Sequence, residues 1–147
     1  MNFDDQMMLR SAEVERTLAA LRSGQEAEPR AVLCIGDETW TLRLPDNAVA
    51  ANVIASRAIE RTHAAFAVVT VVDGTQPSIL ISAVGATDAM CLEIAPQRAG
   101  GHAVRPIECP AGLLDLFRRG MGGDPPPRSQ WREFGANGRW PLVGGAQ

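Results

Sequence analysis

Length and composition place the chain among single-domain globular proteins and exclude several classes of enzyme. Its 147 residues are 46% hydrophobic and 21% charged, which is enough apolar material for one core. All 14 cationic side chains are arginine, and the chain has neither lysine nor tyrosine. A Schiff-base lysine, a pyridoxal anchor, a P-loop lysine and a tyrosine acid or base are therefore excluded.

The charge distribution argues against nucleic acid as the main partner. The net charge is −3; residues 1–121 carry 11 arginines and 15 acidic side chains, and residues 122–147 carry 3 arginines and 2 acidic side chains. Phosphate binding requires a basic face, which a mildly acidic body does not offer. No apolar run approaches the ~20 residues that cross a bilayer. We expect a protein with no nucleic-acid partner and no membrane partner.

The first predicted element is an amphipathic helix over residues 4–23. Met7, Val14, Leu18 and Leu21 recur at helical spacing and form one apolar stripe. A glycine follows directly and is expected to end the helix. This helix either flanks the sheet that the later segments form or pairs with another subunit.

A β-hairpin is predicted next, over residues 30–44. In its second strand Trp40, Leu42 and Leu44 alternate with polar residues, which indicates one buried and one solvent-facing side.

A second helix is predicted to begin after Asp46, its expected N-cap, and to fade near His63. Its buried stripe is predicted to consist of Val49, Val53 and Ile54.

Four further strands are predicted after the second helix. Residues 64–72 are apolar on both faces, which indicates a central strand that is covered on both sides. Strands at 78–84 and 89–95 follow. The last strand, 102–108, is expected at an edge of the sheet because it contains Pro106, which cannot donate a ladder hydrogen bond.

A short amphipathic helix over residues 111–119, opened by Pro110, completes the predicted elements. They indicate an α+β fold: an antiparallel sheet of about four to six strands, with an N-terminal helix, a middle helix and a short C-terminal helix packed on one face. The predicted organisation is one α+β domain, residues 1–121, and a Gly/Pro-rich C-terminal tail, residues 122–147.

The tail combines the composition of a linker with aromatic residues that linkers lack. It holds six of the 14 glycines and four of the 10 prolines, but also three of the seven aromatic side chains. Tryptophan and arginine are the residues most enriched at binding hot spots. We therefore expect the tail to dock on its own domain or on a partner through Trp131, Arg132, Phe134, Arg139 and Trp140.

A second candidate site lies around the glycine pair at residues 100–101. Arg98, His102 and Arg105 flank this predicted loop. Guanidinium groups beside a glycine-rich turn can bind an anion, so these residues form a weak anion-binding candidate.

The three cysteines, Cys34, Cys91 and Cys109, are expected to be free thiols in a reducing cytoplasm, because their number is odd and none has CxxC spacing. Cys91 is the best candidate nucleophile if it faces solvent, but no cysteine shares a recognisable motif with a histidine. Two isolated histidines and three scattered cysteines do not supply a metal site. We expect no catalytic residue, no metal and no cofactor.

Two segments resemble parts of ubiquitin-like proteins. Residues 38–54 contain a hairpin strand and then a helix, as in the opening of a β-grasp fold, and Gly144-Gly145 stand two residues before the end of the chain. As a remote alternative, this resemblance implies a ubiquitin-like modifier.

These observations favour a small non-enzymatic protein-binding or adaptor domain that acts on a protein partner or by self-association, as a homodimer. A lysine-free, arginine-rich composition is typical of a GC-rich genome, so we expect a bacterial, cytoplasmic protein. The alternative from a different class is a small-molecule- or anion-binding domain, or an enzyme, with a pocket near Arg98, His102 and Arg105.

Overall fold

The computed structural model describes residues 2–75 and 77–127 and the backbone of residues 142–145. In chain order the elements are α1 Phe3–Arg22, β1 Arg30–Ile35, β2 Glu38–Arg43, α2 Ala48–Thr62, β3 Phe66–Val72, β4 Ile79–Gly85, β5 Ala89–Pro96, β6 His102–Ile107, α3 Ala111–Arg118 and β7 Leu142–Gly145. The three helices and the first six strands lie within one or two residues of their predicted positions.

The strands form one antiparallel sheet in the order β6-β5-β4-β3-β1-β2-β7. The six strands between Arg30 and Ile107, with the three helices, confirm the predicted α+β fold. The short strand β7 was not predicted. It adds a seventh strand from the tail beside β2.

The sheet is covered on both faces, which corrects the expectation of helices on one face only. One layer of core contains Leu33, Val69 and Phe117 and lies under α2 and α3. The other contains Val68 and Leu18 and lies under α1. The reason is β3, which occupies the middle of the sheet and alternates apolar side chains to both sides, so both sides must be shielded from water.

Helix α2 packs through small side chains rather than through the predicted valines. Its buried face includes Ala51, Ala55 and Ala58 beside Ile54, whereas Val49 is 75% exposed. Alanine allows the helix to approach the sheet closely, so the valines on the neighbouring stripe point outward. The N-cap is also corrected by one residue: the side chain of Asn47, not of Asp46, accepts the hydrogen bond of an N-terminal amide.

Helix α3 is held against α2 at a glycine. A Cβ atom on Gly120 would lie 2.3 Å from the Cα atom of Glu60, a distance that no real contact allows. The Nε–H of Arg118 also donates to the carbonyl oxygen of Gly85 at 2.9 Å, which joins α3 to β4. Gly120 therefore sets how closely the two helices pack, not only where α3 ends.

Helix α1 is fastened to β1 by a buried carboxylate. Glu13 is 3% exposed and accepts hydrogen bonds from Arg30 in β1 and from Arg16 one turn later in α1, with Nε distances of 3.1 Å in each case. Burial raises the pKa of Glu13, but the hydrogen bonds and charges of the two guanidinium groups outweigh it and hold this pKa below the usual 4.5. The helix thus docks through a charged cluster as well as through apolar contacts.

Replacing Gly120 with alanine is expected to destabilise the fold by about 2 kcal/mol or more, because the added methyl group overlaps the backbone of α2. Gly112 is the matched control in α3, since nothing lies within 4 Å of its Cβ position. Gly112→Ala is expected to stabilise by about 0.5–1 kcal/mol through helix propensity. Urea unfolding of both variants measures the two effects, and equal stabilities would contradict the close packing at Gly120.

Replacing Glu13 with glutamine is expected to lower the unfolding free energy by about 2 kcal/mol at pH 7, because two half-buried guanidinium groups lose their countercharge. The folded pKa of Glu13 lies below its unfolded value, so its contribution is fully present above pH 4.5 and is lost as the pH falls through the folded pKa. The difference between wild type and variant should therefore shrink in acid.

Denaturant unfolding between pH 7 and pH 3 measures this dependence. Glu15→Gln, at an exposed position of the same helix, is the control and should leave the unfolding free energy within about 0.5 kcal/mol of wild type. A constant difference between Glu13→Gln and wild type at every pH would show that the carboxylate charge is not what fastens α1.

Candidate functional site

The last described segment of the tail meets the domain beside β2. Residues 142–145 pair antiparallel with residues 39–42, in the register Leu142 opposite Leu42 and Gly145 opposite Thr39. Without this pairing, β2 would present a row of free N–H and C=O groups on its outer side. The tail thus supplies the strand that covers this edge.

The opposite edge, at β6, is protected by its own sequence. It contains Pro106, which has no N–H to donate, and the charged Arg105, and both side chains are exposed. By contrast, β2 contains no proline, and its two charged side chains, Glu38 and Arg43, stand at its ends. Of the two strands, only β2 has an N–H group at every position.

The alternation predicted for β2 is confirmed and defines what an added strand meets. Trp40 and Leu42 are buried toward α2, while Thr39 and Thr41 lie half-buried on the other face. Residues directly opposite each other in an antiparallel pair share a face. A partner strand therefore places alternate residues beside Trp40 and Leu42.

The predicted partner-binding residues of the tail lie outside the described residues. They are Trp131, Arg132, Phe134, Arg139 and Trp140. Their assignment stays a prediction.

Gly144 and Gly145, the diglycine of the ubiquitin-like alternative, are part of β7, opposite Trp40 and Thr39. The pairing concerns only their backbone and leaves the modifier hypothesis untested.

The anion-binding candidates lie in β6 and in the turn before it. Arg98 lies in the turn between β5 and β6, where Gly100 and Gly101 adopt positive φ. His102 and Arg105 stand three residues apart in β6, so their side chains leave opposite faces of the strand. The guanidinium group of Arg105 pairs with the Glu93 carboxylate at 2.7 Å. An anion site at these three residues stays a prediction.

Two of the three thiols are buried, and the third is half-buried. Cys34 and Cys91 are buried, and Cys109 is partly exposed. Burial raises the pKa of Cys34 to about 11, and burial together with the neighbouring Cys109 thiol raises the pKa of Cys91 to about 12. The condition for a Cys91 nucleophile, exposure to solvent, is not met. In residues 2–75 and 77–127, no three His, Cys, Asp or Glu side chains group so that they could hold a metal ion.

A cavity that the sequence did not predict lies between the first half of α1 and strands β4 and β5. Its volume is about 250 Å³. It is lined by Phe3, Gln6, Met7, Arg10, Phe66, Ala83, Asp88, Ala89 and Met90. The sequence signal was incomplete: Met7 belongs to the predicted apolar stripe of the first helix, and nothing in the sequence indicates that this stripe meets the strand that contains Met90.

Two large apolar side chains in the first half of α1 are exposed. Phe3 is 63% exposed and Met8 is 71% exposed, whereas the second half of α1 is well buried around Thr17 and Leu18. The guanidinium group of Arg10 contacts the thioether of Met90 at the rim.

None of the helices among the described residues combines the length and apolarity that a membrane crossing needs. The chain matches no protein-family model, no curated protein and no solved structure.

Proposed function

We propose that this protein is a small non-enzymatic protein-binding domain that takes up an extended strand at the edge of β2. In the resting state its own strand β7 occupies that edge, and a partner strand replaces it. The observation that carries the proposal is the antiparallel backbone pairing of residues 142–145 with residues 39–42. Addition of a strand to a sheet edge is a recurring mode of peptide recognition, in which main-chain hydrogen bonds supply affinity.

The sequence of β7 is that of a strand that pairs weakly and that a partner strand can displace. Two of its four residues are glycines, which lose much conformational freedom on pairing and offer no side chain for cross-strand contacts. Its advantage is covalent attachment, which raises its effective concentration at the edge of β2 above that of a free peptide. A partner strand with β-branched residues at these positions is expected to pair better with β2.

The register also suggests the chemistry of the partner. Gly144 lies opposite Trp40, and Leu142 lies opposite Leu42. A donor strand with a valine or isoleucine in place of Gly144 gains a cross-strand contact with the tryptophan ring, worth about 0.2–1 kcal/mol. The donor belongs either to another protein or to a second copy of this chain, and exchange of β7 between two copies gives the homodimer proposed from the sequence.

Replacing both Val143 and Gly144 with proline is expected to free the edge of β2. Successive residues of an antiparallel strand direct their N–H groups alternately toward and away from the neighbour, so two adjacent prolines remove a paired N–H in either phase. Amide hydrogen exchange of the outward N–H groups in β2 should accelerate by roughly tenfold or more, while exchange in β1 stays unchanged.

The matched control changes the same two residues to alanine, which keeps both N–H groups. The alanine variant should retain the protection of β2, and identical exchange in the alanine and proline variants would contradict strand pairing. Binding is measured on the same full-length proteins, with a fluorescent peptide of residues 138–147. The proline variant should bind this peptide about tenfold or more tightly than wild type, because wild type already holds its own strand. Equal affinities, or no binding to either, would refute the proposed function.

A second candidate function is binding of a small apolar molecule with an anionic group. The observation that favours it is the cavity between α1 and β4–β5, whose wall is mostly apolar and whose rim carries Arg10. A guanidinium group beside an apolar cavity suits a carboxylate with a hydrocarbon chain.

Decanoate is a suitable probe for this candidate. At saturating but submicellar concentration it should raise the melting temperature of wild type by about 3 °C, since a ligand that binds only the folded state stabilises it. Arg10→Gln should lose most of this shift, and Arg98→Gln, in the exposed turn between β5 and β6, should keep it. The same shift in all three proteins would indicate non-specific binding and exclude the cavity as its site.

A further inference from the structure

Two of the three thiols are brought together by the register of β5 and β6. Cys91 in β5 lies directly opposite Ile107, the last residue of β6. Cys109 follows two residues later, just beyond the end of the ladder. The register thus brings the two cysteines near each other at the end of the sheet.

The thiol groups are close enough to interact. Cys91 is fully buried, its thiol donates to the Ser82 hydroxyl at 3.5 Å, and the neighbouring Cys109 thiol contributes to raising its pKa. Cys109 is only half-buried and lies outside the β6 ladder, immediately before the Pro110 N-cap of α3. Cys109 is thus partly accessible to solvent, whereas Cys91 is not.

The third thiol cannot join this pair. Cys34 belongs to the core layer under α1, together with Val32 and Phe66. Cys91 lies opposite Ser82, which is two residues from Val84 in the core layer under α2 and α3. The sheet separates Cys34 from the other two cysteines, so it serves as an internal control.

We propose that Cys91 and Cys109 form a reversible intramolecular disulfide, with the half-exposed Cys109 as the thiol that is oxidised first. This is a modification site, and it does not depend on the function of the β2 edge. Because Cys109 is not held by strand pairing, the Cα separation of about 4.4–6.8 Å that a disulfide needs can be reached without breaking the sheet.

The reaction balances with a peroxide as the oxidant. The Cys109 thiolate attacks one oxygen of hydrogen peroxide, an S–O bond forms, the O–O bond breaks and the hydroxide released takes the thiol proton to become water. The Cys91 sulfur then attacks Cys109 Sγ, the S–S bond forms and the S–O bond breaks. The leaving hydroxide takes the Cys91 proton. Two thiols lose two electrons in total, and one peroxide becomes two waters.

The closed loop joins β5 to the start of α3. Residues 91–109 include all of β6 and the turn before it, so the cross-link restrains a segment that otherwise meets the domain mainly through one edge of β5. A disulfide that closes a loop of this length restricts the unfolded chain and raises stability. Oxidation should therefore raise the melting temperature of the protein, by about 5 °C or more.

Peptide mapping tests the proposal directly, because the positions of the arginines place each cysteine in its own tryptic peptide. Trypsin cuts after arginine but not before proline, so Cys34 falls in residues 31–43, Cys91 in 62–98 and Cys109 in 99–118. The full-length protein is treated with hydrogen peroxide, denatured, alkylated and digested. The expected product is the peptide pair 62–98 and 99–118, two hydrogen atoms lighter than its parts and separated by dithiothreitol.

Three variants locate the chemistry. Cys34→Ser should give the same cross-link as wild type, and Cys109→Ser should give none. Cys91→Ser should instead accumulate a sulfenic acid on Cys109 that dimedone traps, a product that wild type does not accumulate because Cys91 resolves it.

Several results would overturn the proposal. One is separate alkylation of Cys91 and Cys109 after peroxide treatment. Others are oxidation of Cys109 to the sulfinic acid while Cys91 stays reduced, or a cross-link that joins two chains.

Discussion

The structure depends on one constraint, the central position of a strand that is apolar on both faces. β3 sends Val69 toward one side of the sheet and Val68 toward the other, and both side chains are fully buried. Two layers of helix are therefore required. On one side small alanines bring α2 close, and on the other side Glu13 and Arg30 add a charge-assisted anchor to the apolar contacts of α1. The anchor fixes the second half of α1 and leaves the first half to form the cavity wall.

With helices packed on both faces of the sheet, its main-chain groups are available to a partner only where the ladder ends, at the two edges. At β6 the proline and the charged side chain discourage pairing. At β2 the same alternation that buries Trp40 also presents an uninterrupted row of backbone groups, and the chain covers this row with its own glycine-rich strand. The asymmetry between the edges makes β2 the stronger candidate site.

The elements predicted well are those whose signal is local. Period-two alternation and turn residues indicate the hairpin and the strands from 64 to 108. Pro106 has no N–H to donate to a neighbouring strand, which places β6 at an edge. The failures involve contacts between distant segments. Hydrophobicity favoured Val49 for the core of α2, whereas packing selected the smaller Ala51, and nothing near Glu13 indicates that Arg30 would allow it to be buried. The same holds for the candidate sites. β7 lacks a strand pattern of its own, and the cavity exists only because α1 and β5 meet.

The start of the tail is held by contacts that do not involve α3. The proposed strand exchange and the proposed disulfide therefore lie in separate parts of the structure. The N–H of Gly122 donates to the carbonyl oxygen of Ala64 at 3.4 Å, and His63 Nδ1 donates to the carbonyl oxygen of Asp124 at 3.0 Å. Both groups of the domain, on His63 and Ala64, lie directly after α2. A cross-link at Cys109 acts at the opposite end of α3, before these contacts. Because these contacts hold the origin of the tail, we expect oxidation of the thiol pair and strand exchange at β2 to be independent of each other.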